Sequence, residues 1–178
     1  MKKIFFVRHA QSQANADGIM AGSEFETPLT EEGKDQARKA GQYLKSSGVQ
    51  LIVASPMQRT QQTAKIIAKE IGMVPEAILT NPLLTERSFG PYDGQPFAKY
   101  AQDVDRGSLT DGVETTAALF ERVEKMFQWL AKRPEKTILV VSHGATGRMF
   151  RLIDQKMHHK DFHTIQRFDN AEIDEFTL

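Results

Sequence analysis

Three short runs of consecutive apolar residues punctuate the chain: IFFV at 4–7, LIVA at 51–54 and ILVV at 138–141. Each is rich in β-branched or aromatic residues and gives way to polar ones, the pattern of a strand buried on both faces. Helical spacing fills the intervals. From Thr30, a candidate N-cap, Ala37, Ala40, Gly41 and Leu44 fall on one face and Gly48 follows. Ser55, Pro56 and Gln58 read as N-cap, first turn and capping box of a helix that runs through Thr63, Ile66 and Ile67 to Gly72. Leu119, Val123, Met126, Phe127 and Leu130 predict a third helix over 115–132, and a short fourth follows Gly144 through Met149 and Leu152. Residues 77–80 and the alternating stretch 171–178 read as further strands, the latter at an edge. The stretch 84–113, with its Gly, Pro and Asp, reads as a loop or small helical insertion of the kind that covers a site. Strand and helix in alternation predict a three-layer α/β/α sandwich with a mostly parallel sheet.

The 178 residues and 40% hydrophobic content suit one domain over 1–178 with one ordinary core. Basic and acidic residues cancel, 23 against 23, which leaves no electrostatic footprint for nucleic acid or an anionic membrane. The chain has no cysteine, so disulfides, thiol nucleophiles and Cys-based zinc sites are excluded. The run after Lys2-Lys3 is too short for a signal peptide, and no run is long enough to span a bilayer. A cytoplasmic protein without membrane or nucleic-acid partners is expected.

In such folds ligands bind beyond the carboxyl ends of the strands. Arg8-His9 follows the first run, Ser55 through Arg59 the second, and Ser142-His143-Gly144 the third. Arg59 falls in the first turn of a helix whose N-terminus favours an anion, and Gly144 allows a backbone N–H close approach. Two histidines, two arginines and a helix N-terminus converging on one rim describe a pocket for a dianion, most simply a phosphoryl group. One such residue after a strand is usually a solvated end; three strands delivering them together reverse that expectation. A zinc site on His9 and His143 is disfavoured by the neighbouring guanidiniums, which repel a dication. His158, His159 and His163 read as exposed histidines rather than metal ligands. Arg8 beside His9 favours the neutral imidazole, with a lone pair available to attack.

These residues carry a family resemblance. Arg8-His9-Ala10-Gln11-Ser12-x-x-Asn15 resembles the Arg-His-Gly-Glu-Thr-x-x-Asn signature of the histidine phosphatase superfamily, phosphoglycerate mutase-like branch. Leu29-Thr30-x-x-Gly33-x-x-Gln36-Ala37, Ala54-Ser55-Pro56-x-x-Arg59-x-x-x-Thr63-Ala64, Leu84-x-Glu86-x-x-Phe89-Gly90-x-Tyr92-x-Gly94 and Val141-Ser142-His143-Gly144 are similar to its later blocks, in the same order. Ala10, Gln11, Ser12 and Tyr92 depart from the usual Gly, acid, Thr and Trp; none is a charged group assigned to catalysis.

The resemblance implies a phosphohistidine route without a metal or other cofactor. His9 is the nucleophile, Glu86 the proton donor, and Arg8, Asn15, Arg59, His143 and Gly144 hold the phosphoryl oxygens. Arg87, Tyr92 and Phe97 are candidates for substrate contact. Phe97 stands where mutases of the branch carry a lysine, and Arg106 where they carry an arginine pair, so hydrolysis of a small phosphomonoester is favoured over mutase-type transfer. A non-catalytic phosphate-binding scaffold on the same fold is the other alternative, and the intact set of charged groups speaks against it.

Overall fold

The computed structural model describes residues 1–105 and 111–178. Its sheet contains β1 (Lys3–Arg8), β2 (Leu51–Ala54), β3 (Leu79–Thr80), β4 (Thr137–Ser142) and β5 (Ile173–Thr177), in the spatial order β3-β2-β4-β1-β5. The first four are parallel; β5 closes one edge antiparallel to β1. Register places Ile4, Ile138 and Leu51 side by side, and likewise Phe6, Val140 and Val53. These rows form one face of the sheet, and the alternate residues, Phe5, Val7, Ile52, Ala54, Leu139 and Val141, form the other. Period-two alternation in strands that are apolar at every position demands cover on both sides.

Helices provide it. One face packs against α5 (Thr116–Ala131), through Leu119, Val123, Met126 and Leu130, and α6 (Gly144–Asp154), through Met149, Phe150 and Leu152. The opposite face packs against α2 (Glu31–Leu44) and α3 (Gln58–Glu70), through Ala40, Leu44, Ala64, Ile67 and Ala68. The result is the three-layer α/β/α arrangement that the pattern predicts. The small residues on α2 and α3 let their backbones approach: a Cβ on Gly41 would lie 2.6 Å from that of Glu70.

Thr30 caps α2 by accepting the Gly33 N–H at 3.0 Å, with Glu31 and Glu32 in the first turn complementing the helix dipole. The start of α3 differs from expectation. Its N-cap is Met57, with no side-chain bond, and the Ser55 hydroxyl pairs instead with His143, so Ser55 serves the strand ends and not the helix. A four-residue helix, α1 (Gln13–Ala16), which no periodicity signals, is closed by a reciprocal Ser12–Asn15 capping box. The insertion is a small helical excursion: a turn of 3-10 helix over Gly90–Tyr92, then α4 (Phe97–Asp105). It is tied to the loop after α1 through Met20 N–H to the Gln95 carbonyl, Gly94 N–H to Met20 and Phe97 N–H to Gly18.

The first turn of α2 rests on the loop that follows β1. Thr30 N–H donates to the Gln11 carbonyl at 3.1 Å, and a Cβ on Gly33 would stand 2.0 Å from that same oxygen. Backbone cannot yield as a flexible side chain can. Gly33→Ala is therefore expected to cost about 1–3 kcal/mol in urea unfolding; a loss below about 0.5 kcal/mol, the range of neutral surface changes, would contradict this packing.

Candidate active site

Arg8 is the last residue of β1 and His9 the next, held to the end of β4 by a bond from His9 N–H to the Ser142 carbonyl at 2.8 Å. The His9 ring nitrogens have different partners. Nδ1 lies 2.8 Å from the Ala10 carbonyl, and Arg59 Nε lies 3.2 Å from Nε2. A carbonyl only accepts and a guanidinium only donates, so the network assigns the proton to Nδ1 and a lone pair to Nε2. Burial, then the Arg59 and Arg8 charges, push the ring well below the usual histidine range, outweighing the Ala10 bond.

Arg59, in the first turn of α3, is fully buried. Its other nitrogens donate to the carbonyls of Phe25, Ala21 and Gly22, each at 3.0 Å. That loop is held from its other side by Asp93, whose carboxylate accepts the N–H groups of Gly22 and Glu24. Burial raises the Asp93 pKa, although these two bonds oppose the shift. His143 lies beside His9, ring centroids 5.3 Å apart. Its Nε2 lies 2.8 Å from the Ser55 hydroxyl, which in turn accepts from Met57 N–H at 3.4 Å. Where the Ser55 hydroxyl donates to Nε2, the His143 proton falls on Nδ1. Burial, then Arg59, His9 and Arg8, keep this second ring neutral as well.

Among the described residues, the buried side-chain nitrogens or oxygens without a partner are Arg8 Nε and His143 Nδ1. Both are donors and both adjoin His9. Buried donors of this kind need an acceptor, and an anion bound beside the His9 ring would pair both. Arg8 is itself steadied by a 2.6 Å bond to the Phe168 carbonyl, and a Cβ on Gly144 would sit only 3.5 Å from its Nε.

Glu86 reaches the same site from the insertion. Ser142 Oγ donates to the Leu84 carbonyl, while Thr146 Oγ1 and Arg122 donate to that of Thr85. The Glu86 carboxylate accepts the N–H groups of Arg87, Ala145 and Thr146 at 2.9–3.3 Å. The opening turn of α6 therefore holds Glu86 through the N–H groups of Ala145 and Thr146. Asn15 Oδ1 accepts from Ser12 N–H, Ser12 Oγ and Asn170, each at 3.1 Å, and the residue lines the site.

These groups border a cavity of about 840 Å³ whose wall includes Arg8, His9, Asn15, Glu86 and Gly144. Arg59 and His143, with no exposed surface, stand behind His9. Arg87 and Phe97 also line the cavity. Tyr92 is buried elsewhere, its hydroxyl 2.8 Å from Asp103 and its ring against Tyr100, so it is a packing residue of the insertion. Arg106 lies outside the described residues. Residue patterns gave no sign of the opposite wall, which comes from Arg148 and the segment Lys160–Phe168. His163 belongs to that wall, while His158 and His159 stack on each other. Among the described residues, no group of three or more His, Asp or Glu side chains is placed to hold a metal ion, and no helix is long and apolar enough to cross a membrane.

The chain belongs to the histidine phosphatase superfamily (branch 1), whose family model matches residues 4–178. Among curated relatives, "Fructose-2,6-bisphosphatase TIGAR B" of Danio rerio is 38% identical over 91 residues, 51% of this chain but only 35% of that one. "Probable phosphoglycerate mutase GpmB" of an Enterobacter strain is 31% identical over 156 residues, 81% of this chain and 70% of its own. The fold is that of the alpha-ribazole phosphatase of Shigella flexneri, with a TM-score of 0.83, 23% identity, and 97% of this chain and 89% of that one covered.

Both buried imidazoles stay neutral in the fold, whereas in an unfolded chain they would take up protons near pH 6.5. Below that pH the unfolded state binds more protons, so stability falls as pH falls. Urea unfolding between pH 7 and 5 is expected to show a loss of roughly one kcal/mol per histidine per pH unit, with a shallower slope in His143→Gln. A flat profile, or a slope unchanged by that substitution, would contradict the neutral pair.

Proposed function

We propose that this chain is a metal-independent phosphomonoester hydrolase working as one domain through a phosphohistidine on His9. The observation that carries the reading is the buried, unprotonated Nε2 of His9, paired with Arg59 Nε and set beside two donors without a protein partner, Arg8 Nε and His143 Nδ1. The Nε2 lone pair attacks phosphorus, and the bond to the ester oxygen breaks in line. Arg8 and His143 take the equatorial oxygens, Asn15 adds a neutral donor, and Arg59 Nε, released from His9 as the lone pair turns to phosphorus, completes the polar shell. These four groups supply the charge stabilisation that a metal gives elsewhere.

The departing alkoxide takes a proton from the Glu86 carboxyl. A water then attacks the phosphohistidine, giving its proton back to Glu86; the P–N bond breaks and inorganic phosphate leaves. The Nδ1–Ala10 bond is preserved throughout, so the imidazole keeps its orientation as charge appears and disappears on it. Transfer to a bound alcohol instead of water, the activity in the name of GpmB, would use the same first half-reaction. Phe97 on the cavity wall, in place of a cation, favours water as the acceptor.

The test is phosphate release from a panel of phosphomonoesters in EDTA. The wild-type chain is expected to keep its turnover. Glu86→Gln should lose about 10²–10⁴-fold in kcat, and His9→Ala should lose all turnover together with an acid-labile phosphoenzyme caught by rapid quench. Activity that EDTA removes, or that His9→Ala retains, would sink the mechanism. Phosphate-ester binding without turnover in the wild-type chain would point to the scaffold instead.

A further inference from the structure

The cavity is far larger than a phosphoryl group, and its two walls differ in chemistry. On the insertion side the rings of Phe89, Tyr100 and Phe97 form a continuous row, Phe89 to Tyr100 at 5.2 Å between centroids and Tyr100 to Phe97 at 6.1 Å. Ile19 and Met20 extend the apolar surface. On the other side stand cations: Arg148 from α6, and Lys160 and Arg167 from the segment before β5. Among the described lining residues Glu86 is the carboxylate, and its oxygens are already bonded to backbone.

The guanidiniums meet the aromatic row at both ends. Arg87 lies 5.7 Å from the Phe89 ring at the inner end, and Arg167 lies 5.1 Å from the Phe97 ring at the rim. Arg87 and Arg148 share a second ring, Phe162, at 5.8 and 4.2 Å. None of the three is in an ion pair among the described residues. Arg148 uses Nε and one terminal nitrogen on the Ile165 and Phe162 carbonyls, and Arg87 uses only Nε, on the Glu114 carbonyl. Each therefore keeps donors for an incoming anion. Burial and the like charges of Arg167 and Arg87, against the opposing charges of Tyr100 and Glu86, push Arg148 down to about 10. Cations held together without carboxylates to balance them are relieved when an anion arrives.

We propose that this cavity selects phosphomonoesters whose alcohol is a flat aromatic or heterocyclic ring bearing a second anionic group. The ring lies along Phe89, Tyr100 and Phe97, and the anion is engaged by Arg87, Arg148 and Arg167. Phe89 meets Tyr100 edge to face at 75° and Phe97 is tilted 48° from it, so the row offers both edges and faces to an aromatic ring, and the guanidiniums at its ends suit a carboxylate or phosphonate in the plane of that ring. The inference rests on the phosphatase reading above. It differs from recognition by cations on the insertion, because here the insertion supplies the aromatic wall and α6 with the C-terminal segment supplies most of the charge. Arg167 is the specificity residue most open to change, being exposed at the rim and free of hydrogen bonds to the rest of the described chain.

The experiment compares kcat/KM for 4-carboxyphenyl phosphate, 4-(phosphonomethyl)phenyl phosphate and the neutral isostere 4-carbamoylphenyl phosphate, with His9→Ala as the blank. The wild-type chain should prefer the anionic esters by at least about tenfold. Arg167→Gln should cut that preference about fivefold or more, and Arg167→Lys should restore part of it. The carboxylate and phosphonate arms tell which second anion the cations accept better. Turnover that depends on His9 but shows no anionic preference, or a preference indifferent to Arg167→Gln, overturns this inference and leaves the phosphatase reading standing. No His9-dependent turnover of any ester overturns both.

Discussion

The contact between Arg59 Nε and His9 Nε2 is the constraint on which the site depends. A guanidinium has no proton to lose near neutrality, so the nitrogen facing it must present its lone pair. The Ala10 carbonyl secures the other end of the ring, and the low polarity of the pocket discourages a second proton. An imidazole that would be half protonated near pH 6.5 in water is thereby kept as a neutral nucleophile with a defined direction. Arg59 can do this only because its remaining donors are taken by the carbonyls of Ala21, Gly22 and Phe25. Those carbonyls in turn belong to a loop pinned by Asp93.

The parallel sheet makes that arrangement possible. Three strands ending at one rim bring Arg8, Ser55 and His143 within reach of His9, although they are far apart in sequence. The fourth participant, Glu86, is not on a strand. It is positioned because hydroxyls on β4 and α6 bind the carbonyls just before it and the first turn of α6 binds its carboxylate. Hydroxyl groups at Ser55, Ser142 and Thr146 thus orient His143 and Glu86 while contacting neither the cavity's far wall nor solvent.

Much of this was legible in the residues themselves. IFFV, LIVA and ILVV are apolar at every position because both sheet faces are covered, and the functional residues follow those runs directly, so fold rule and motif agree. Thr30 declared its helix because a capping hydroxyl is a local signal. Other features depend on distant partners and leave no periodic trace. Ser55 looked like a helix cap, yet its partner is His143, 88 residues away. Tyr92 looked like a pocket residue, yet its bond to Asp103 and contact with Tyr100 bury it inside the insertion. The cationic wall is the largest such feature: Arg148, Lys160 and Arg167 are spread over a helix and an irregular segment, and only their shared cavity unites them.

The most direct measurement is the nitrogen NMR spectrum of the histidine rings in the ligand-free protein, recorded between pH 5 and 8. His9 should remain in one neutral tautomer throughout, with the proton on Nδ1 and an unprotonated Nε2. A proton on Nε2 of His9, or a doubly protonated ring at pH 6, would contradict the Arg59 contact as the source of the nucleophile.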